Sequence, residues 1–338
     1  MPTVRDLVAR RNWFYLVSLL ILIPGAISLL IPPRLKPGIE FTSGTTFSFR
    51  YAEPATSDQV KDLLTDLGYG EARVQDTGEN QFLVQTDEIE GSKTTPPVGP
   101  ALPSERDAVE DALGREFGGF LDSEGSPTTR FIEYSSVSPA VSRQIGRNAA
   151  IAVVVAAIAI TAYIAWAFSN VPNSLRYGVS AIVALLHDVL LVIGIFSILG
   201  KLFGTEVDTF FITGLLTVVG FSVHDSIVVF DRIRENVARG AIRSFPDAVN
   251  HSLLQTMGRS FNTSLTLIFS ILALLLLGGE SIRDFLLVLL IGVTTGTYSS
   301  VFIASMLLVT WQQGDVPRLW RRFRGRPALQ PVEPAAAE

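Results

Sequence analysis

Two ionisable residues lie within or beside long apolar segments of the chain. Asp225 falls in the apolar run Thr209–Phe230, six residues before Asp231, the first polar residue after the run, and Arg259 precedes the next run. In a helix that rises 1.5 Å per residue, Asp225 would lie about 9 Å inside the segment. Inserting a charged side chain at the centre of a membrane costs about 2.5–3.5 kcal/mol. Such residues therefore usually form an ion pair or have a function. Asp225, with Ser222 as a hydrogen-bonding neighbour, is therefore predicted to be a protonatable group of a proton pathway. A structural ion pair or packing hydrogen bond is the alternative.

Polar residues continue from Arg259 along one face of the predicted helix. Asn262, Thr263, Thr266 and Ser270 follow it at i+3, i+4, i+7 and i+11. Such a row of polar side chains belongs against other helices and not against lipid. It favours a functional role for Arg259 and its neighbours Asn262 and Thr263. The alternative is that Arg259 extends to the lipid headgroups, as arginines at helix ends commonly do.

A second group of polar residues is a weaker set of candidates for the proton pathway than Asp225 and Arg259. His187 and Asp188 fall at the midpoint of the third apolar run. A His beside an Asp suggests a proton relay. Adjacent helical residues point about 100° apart and need not touch, so a buried pair satisfied by other helices is the alternative. His224 is expected mainly to pack or hydrogen-bond, with titration in the pathway as the alternative.

The apolar runs that must position these residues are long enough for membrane-spanning helices. About 20 residues cross a hydrocarbon core of about 30 Å, and none of the runs alternates with the period of two that a β-barrel needs. The first is expected to be retained and not cleaved as a signal peptide. The six runs are Trp13–Ile31, Ala149–Phe168, Tyr177–Leu199, Thr209–Phe230, Phe261–Leu277 and Phe285–Val309.

The short basic segments predict the orientation. Arginines cluster before the first run, after the fourth and in the C-terminal tail, and cytoplasmic loops carry such an excess. Both termini are therefore expected in the cytoplasm, and the long segment after the first run outside. Asp231, Arg232 and Arg234 are expected at the membrane boundary, where they would anchor the fourth helix.

The outer segment has the patterns of a folded domain. Strand-like alternation and helical spacing follow one another in the order β-α-β-β-α-β, which is that of a ferredoxin-like split βαβ unit. Residues 88–103 between its halves are rich in Pro, Gly, Ser and Thr and are predicted to form a surface loop. The predicted fold class is thus an α-helical polytopic membrane protein with an extracytoplasmic α+β ferredoxin-like domain.

Composition excludes several functional classes. The chain has no cysteine, so disulfides and thiolate sites are absent, and its three histidines make a His-rich metal site improbable. A net charge of −5 does not suggest nucleic-acid binding. No nucleotide-binding loop or hydrolase motif is present. We therefore expect no enzymatic activity, no cofactor and no metal, and a proton gradient as the energy source.

Four stretches of the chain, in this order, resemble the SecF family, the accessory subunits of the bacterial Sec protein-export machinery. They are Pro37–Thr45, Val219–Asn236, Arg259–Thr266 and Gly296–Ala304. The most specific part is Asp225 with Asp-Arg-Ile-Arg-Glu-Asn beginning at Asp231. His224 departs from the family, which often has Asn there. The resemblance covers about residues 12–309 and implies a proton-driven RND-type half-bundle, with a functional arginine at the position of Arg259.

The apolar runs and the basic segments predict the boundaries, and the resemblance implies the partners. We expect a cytoplasmic N-terminus at 1–12, a first span at 13–32, the outer domain at 33–146, five spans within 147–310 with a cytoplasmic loop at 231–258, and a partly disordered cytoplasmic tail at 311–338. The expected partners are a SecD-like six-helix protein and the SecYEG channel, with YajC and YidC as further candidates, in the cytoplasmic membrane. Exported unfolded polypeptide would be the substrate.

Two other functions remain open at the level of sequence. An RND-type exporter half would move a lipid or small molecule directly. It would need a cavity-lining surface in the outer domain, and this domain is small for such a cavity. A membrane scaffold without ion movement would not need Asp225 and Arg259 in polar, inward-facing settings. The motif set favours the export subunit over both.

Overall fold

The computed structural model describes residues 6–70, 72–78, 80–89, 104–122, 125–167, 174–240, 242, 244–279 and 282–314. The chain divides into two compact units. One is helical and comprises Met1–Leu35, Val154–Thr205 and Phe210–Glu338. The other comprises Lys36–Val153 and Glu206–Thr209 and contains the sheet. The predicted loop at residues 90–103 and the tail from residue 315 lie outside the described residues.

The elements follow the predicted order of one helix, an α/β segment and further helices. They are α1 (Arg11–Leu30), α2 (Ile39–Thr42), β1 (Gly44–Tyr51), α3 (Ser57–Asp66), β2 (Arg73–Gly78), β3 (Gln81–Thr86), α4 (Glu105–Glu116), β4 (Phe120–Leu121), β5 (Pro127–Thr128), β6 (Glu133–Val137), α5 (Pro139–Ala167), α6 (Ser174–Phe203), α7 (Thr209–Ala238), α8 (Phe245–Leu277), α9 (Arg283–Tyr298), a π-helix (Ser299–Ala304) and α10 (Ser305–Gln312).

Within the described residues, six helical stretches are long and apolar enough to cross a membrane, which confirms the predicted number. The last is compound, because α9, the π-helix and α10 form one continuous stretch from Arg283 to Gln312. Its change of hydrogen-bond register was not visible in the sequence, since a π-turn leaves the apolar composition of a span unaltered.

Several spans are longer than the apolar runs indicated, most of all the second, which begins at Pro139, and the fourth and fifth. The fourth continues through polar residues to Ala238, where Asp231–Arg234 and Arg232–Glu235 ion pairs support the added turns. The fifth begins at Phe245 because Ser244 caps it, accepting a hydrogen bond from the Asp247 amide. The segment 231–258, expected to connect the fourth and fifth spans on the cytoplasmic side, is mostly helical. Residues 246–257, whose apolar spacing predicts an amphipathic helix, form the first part of α8.

Small residues let the helices of this unit approach closely. A Cβ at Gly194 of α6 would lie 2.8 Å from the Cα of Gly25 on α1, and the reverse distance is 2.9 Å. A Cβ at Gly292 of α9 would lie 2.1 Å from a methyl carbon of Val218 on α7. Neither position tolerates a larger side chain without moving a helix. Small residues lie on nearly one face of the last span, a pattern that predicts close helix packing, and the packing is present at Gly292. They are Gly292, Thr295, Gly296, Ser299 and Ser300.

The α+β unit has the predicted split arrangement. Strand β1 lies between β3 and β6, and β2 pairs with the outer edge of β3, all antiparallel. Each β-α-β half is thus interrupted by a strand of the other half. Aromatic side chains from β1 and its neighbours fill the core, where they pack with α3 and α4. Those buried to at least 98 % are Phe47, Phe49, Tyr51, Phe82 and Phe120.

Local details of this unit differ from the predictions. The Thr- and Phe-rich stretch Ile39–Tyr51 predicts a first strand, but residues 39–42 form the short helix α2, and Ser43 follows with a positive φ of 67°. The last strand is predicted at Thr129–Val137; it begins at Glu133, after a hairpin of two-residue strands, β4 and β5. Strands this short have no detectable periodicity, so the sequence could not reveal them.

Candidate functional site

Asp225 lies on α7 where three helices meet, and its carboxylate is only partly buried in the chain. Its Oδ1 accepts a hydrogen bond of 2.7 Å from the Ser260 hydroxyl of α8. Its Oδ2 accepts one of 2.5 Å from the Ser300 hydroxyl of the π-helix. Both partners are neutral hydroxyls, which can donate to an ionised carboxylate or accept from a protonated one. The surroundings therefore suit either protonation state.

Asp188, on α6, lies at the centre of a second and fully buried network. Its Oδ2 accepts hydrogen bonds from Ser222 of α7 at 2.6 Å and from Ser299 of the π-helix at 2.5 Å. Its Oδ1 lies 3.0 Å from Nδ1 of His187, whose Nε2 lies 2.5 Å from the Ser18 hydroxyl of α1. His187 and Asp188 do touch, although adjacent helical residues need not. With Asp188 ionised, the consistent assignment has Nδ1–H donating to Asp188 and Ser18 donating to Nε2.

Further hydroxyls extend the polar interior from Asp225 towards α9. Ser264 lies one turn after Ser260 on α8 and is 2.6 Å from the Thr297 hydroxyl. Ser264 also donates to the Ser260 carbonyl, and Thr297 donates to the Val293 carbonyl. All of these side chains are buried. The hydroxyl groups thus form a continuous polar layer between two apolar helices.

Arg259 lies apart from Asp225 in this structure. The next residue, Ser260, is the one that contacts the carboxylate, and adjacent positions on a helix point about 100° apart. Arg259 is exposed on the chain, and in the described part of the molecule its guanidinium has no hydrogen-bond or ion-pair partner. Arg259 and Asp225 are the natural candidates for an ion pair between the fourth and fifth spans, but this pair is not formed in this conformation.

The predicted polar row on α8 is present, and it faces out of the chain. Thr263 donates to the Arg259 carbonyl, Thr266 to the Asn262 carbonyl and Ser270 to the Thr266 carbonyl, each at 2.9–3.0 Å. These residues are exposed, although the helix is long and apolar enough to span a membrane. The row was expected to face other helices, and the helices of this chain leave it uncovered.

The remaining sequence-predicted residues lie around these groups. His224 is exposed on α7, beside Asp225 in the chain. Asp231 pairs with Arg234 on the extension of α7, and Arg232 pairs with Glu235 and donates to Gln255 of α8 at 2.6 Å. The two ion pairs lie within α7, the hydrogen bond to Gln255 joins α7 to α8, and none of these contacts involves Asp188 or Asp225.

Four serines of the site were not among the sequence-based candidates: Ser18, Ser260, Ser299 and Ser300. Ser299 and Ser300 were interpreted as small packing residues, since small residues in a span commonly allow close helix contact. The spacing of residues in the sequence does not reveal which residues of other helices Ser299 and Ser300 contact. Two consecutive serines opposite two intramembrane carboxylates are the signal that could have identified them. Among the described residues, no three His, Asp or Glu groups are arranged to hold a metal ion.

Comparison with known proteins gives consistent matches along almost the whole chain. Residues 121–314 match the family model "Protein export membrane protein SecD/SecF, C-terminal". The chain is 46% identical to a protein translocase subunit SecF of Thermobaculum terrenum, over 94% of this chain and 97% of that one. It is 32% identical to the protein translocase subunit SecDF of Bacillus subtilis, over 93% of this chain and 39% of the longer protein.

The fold is similar to a solved structure of the same kind. The crystal structure of SecDF from Thermus thermophilus, described as a translocon-associated membrane protein, matches with a TM-score of 0.72 and 32% identity. The match covers 93% of this chain and 40% of that one. The chain thus spans about two fifths of the SecDF proteins and nearly all of the SecF protein.

Proposed function

Because the chain belongs to the SecD/SecF family of protein-export membrane proteins, as a SecF-type accessory translocase subunit, we propose that proton flow through the Asp225 site drives its work. The observation that carries this proposal is the Asp225 carboxylate, held inside a bundle of spanning helices by two serine hydroxyls and by no cation among the described residues. An intramembrane carboxylate of this kind defaults to function, since its charge is costly to keep there.

Neutral hydroxyl partners suit reversible protonation. A fixed arginine or lysine on Asp225 would hold the ionised form, whereas Ser260 and Ser300 can each reverse their hydrogen bonds when a proton arrives. Moving one charge across the membrane releases about 2.3 kcal/mol per 100 mV. That energy biases a conformational equilibrium by more than tenfold, because 1.4 kcal/mol corresponds to a factor of ten.

Arg259 acts, in this proposal, as the partner of Asp225 in a second arrangement of the helices. It precedes Ser260, so a rotation of α8 by about 100° would exchange the serine for the guanidinium beside Asp225. The pair would stabilise the ionised carboxylate, and protonation would release it. His187, Asp188, His224, Asn262, Thr263 and Ser222 are supporting members of the pathway.

The proposed membrane location and orientation of the chain rest on its basic loop residues and on its relatives. The chain is a multi-pass membrane protein, with six spanning helices within the described residues. We place it in the cytoplasmic membrane with both termini in the cytoplasm, since the basic loop residues predict that orientation. The α+β unit is then extracytoplasmic, where it could meet exported unfolded polypeptide.

A SecD-like protein is the expected partner, because relatives named SecDF join a chain like this one to a further segment in a single polypeptide. The exposed polar row from Arg259 to Ser270 supports a covering helix, since polar side chains in a span belong against protein. We propose that this partner packs on that face. SecYEG, and YajC and YidC beside it, are the wider assembly in which the pair would act.

The proposal is tested by proton flux in liposomes that contain the chain with its SecD-like partner. A pH-sensitive dye inside the liposomes reports flux after a proton gradient is imposed. Asp225→Asn, nearly isosteric but unable to titrate, should abolish the protein-dependent flux. Asp231→Asn is the matched control, since it makes the same change six residues further along α7 on an exposed carboxylate. Full flux with Asp225→Asn would refute the proposal.

A further inference from the structure

Two carboxylates of the helical unit, Asp188 fully buried and Asp225 partly buried, share one structural element. Asp188 is on α6 and Asp225 is on α7, yet consecutive residues of the π-helix bind them. The Ser299 hydroxyl donates to Asp188 Oδ2, and the Ser300 hydroxyl donates to Asp225 Oδ2, each at 2.5 Å. Because neighbouring residues share a peptide unit, displacement of one serine also displaces the other.

The backbone at this point is itself unusual. Residues Ser299–Ala304 form a π-helix between two α-helical stretches of the sixth span. Such turns are rare, contain one residue more per hydrogen-bonded ring than an α-helix, and occur frequently at functional sites. Ser299 and Ser300 are its first two residues, so a shift between π and α register would alter the direction of both hydroxyls.

Asp188 has hydrogen-bond partners that fit two protonation states. When ionised, it can accept from Ser222, Ser299 and the Nδ1–H of His187. When protonated, its own O–H needs an acceptor, and a serine oxygen can take that role if its hydroxyl turns elsewhere. Ser299 has such an alternative in the Gly296 carbonyl at 3.3 Å.

Ser300 has the equivalent alternative beside Asp225. The Thr297 carbonyl lies 3.2 Å from its hydroxyl oxygen. Both serines can therefore donate either to a carboxylate or to the carbonyl three residues earlier in their own helix. The two sites have the same switchable element, built from consecutive residues.

We propose that Asp188 is a second proton-binding site and that Ser299 and Ser300 couple its proton occupancy to that of Asp225. Proton uptake at one carboxylate reverses the hydrogen bond of its serine, moves the π-turn, and so changes the hydrogen bond at the other carboxylate. This inference deepens the proposed function and rests on it. Ser299 and Ser300 are positioning residues, since each acts through the carboxylate that it binds.

The ionisable groups around the pair are few. The titratable or charged side chains within the spans that contribute to these networks include His187 on α6, His224 on α7, Arg259 on α8, Tyr298 on α9 and Tyr15 on α1. His187 contacts Asp188, Tyr298 donates to the Phe14 carbonyl and Tyr15 pairs with Thr310. His224 and Arg259 are exposed. Of these groups, His187 alone is hydrogen-bonded to either carboxylate in the described structure.

Infrared difference spectra of the chain in liposomes with its SecD-like partner, between acid and alkaline pH, test the proposal. The C=O stretch of each protonated carboxyl appears as a band, and Asp188→Asn and Asp225→Asn should each remove one band. Loss of no band in Asp188→Asn would overturn the second proton site. Loss of no band in Asp225→Asn would instead contradict the proposed function, so the two failures are distinguishable.

Coupling is tested by replacing the serine that binds one carboxylate and observing the infrared band of the other carboxyl group. Ser299→Ala should shift the Asp225 band, and Ser300→Ala the Asp188 band, whereas the hydroxyl-retaining Ser299→Thr should restore the wild-type position. Ser305→Ala is the matched control: Ser305 is fully buried in the same span, and its hydroxyl has no hydrogen-bond partner in the described structure. If Ser299→Ala moves the Asp188 band alone, the carboxylates are uncoupled and the proposal fails. The isotope shift of both bands in deuterated water, measured on the wild type, gives a test of two exchangeable protons that needs no variant.

Discussion

At the scale of single residues, the chemistry of the site resides in carboxylates whose partners are hydroxyls. The sequence indicated Asp225 and Asp188 because charged residues are rare inside apolar runs, and this rarity can be recognised without knowledge of the fold. It could not identify Ser260 or Ser300 as partners, because serine is common in spanning helices and its role depends on the neighbouring helix. Burial of Asp188 was likewise decided by packing that the sequence does not specify.

Replacement of Arg259 distinguishes a charge requirement from a geometric one. Arg259→Lys should reduce gradient-driven proton flux only in part, since an ammonium keeps the charge but not the planar fork of a guanidinium. Arg259→Met should lower flux as far as Asp225→Asn does. Flux is measured in liposomes with the SecD-like partner.

The exposure of Arg259 provides a control on folding. Because its side chain has no polar partner in the described structure, neither variant should change the thermal unfolding midpoint of the isolated chain by more than a few degrees. Undiminished flux with Arg259→Met would show that Asp225 works without this arginine.

At the scale of elements, the membrane spans and the four main strands of the α+β unit were predictable, while the short elements, the ends and the irregularities were not. The six apolar runs and the β-α-β-β-α-β order followed from length and periodicity. The extension of α8 back to Phe245 depends on a Ser244 cap, and the π-turn at Ser299 depends on contacts with α6 and α7. Such features arise from tertiary contacts, which periodicity does not report.

The crossing of α1 and α6 at two glycines gives a prediction on stability. Gly194→Ala should lower the free energy of unfolding by about 1–3 kcal/mol, because its methyl group would meet the Gly25 backbone. Gly220→Ala is the matched control, since a Cβ there would meet nothing within 4 Å and helix propensity favours alanine by up to about 1 kcal/mol. Thermal unfolding in detergent measures both. Equal stability of the two variants would contradict the close approach.

The start of α4 makes the stability of the α+β unit sensitive to acid. Hydrogen bonds from the Ser104 hydroxyl and backbone amide hold the pKa of Asp107 below its ordinary value. The stabilisation is therefore present above the ordinary Asp pKa of about 3.9 and is lost as pH falls through the lower folded pKa. Asp107→Asn should remove this part of the acid sensitivity, as measured by thermal unfolding from pH 6 downward (roughly the range in which carboxyl groups titrate). An unchanged pH profile would show that the capping interaction does not contribute.

At the scale of the whole molecule, one helix face of the described structure is polar and uncovered, which is unsuited to contact with lipid. The polar row on α8 faces outward, and the SecDF relatives are more than twice as long as the segment that this chain matches. An RND-type exporter half would also need a partner, so the row alone does not separate the functions. The carboxylate site, together with the family, favours coupling of proton flow to protein export.

The absence of cysteine from the chain makes a cross-linking test direct. Thr266→Cys, at the centre of the polar row, should cross-link to cysteines introduced into a SecD-like partner. Leu265→Cys is exposed on the same helix but points about 100° away, and it should cross-link far less. If the two positions cross-link equally, the polar row is not the covered face.

The central claim is that proton binding at Asp225 couples the gradient to protein export. It is tested most directly by export of a secretory protein into inverted membrane vesicles, with and without a proton gradient. Vesicles that contain Asp225→Asn, at normal protein level and with the SecD-like partner bound, should lose the stimulation that the gradient gives to the wild type, while Asp231→Asn vesicles keep it. Full stimulation with Asp225→Asn would show that the carboxylate is structural and would contradict the account.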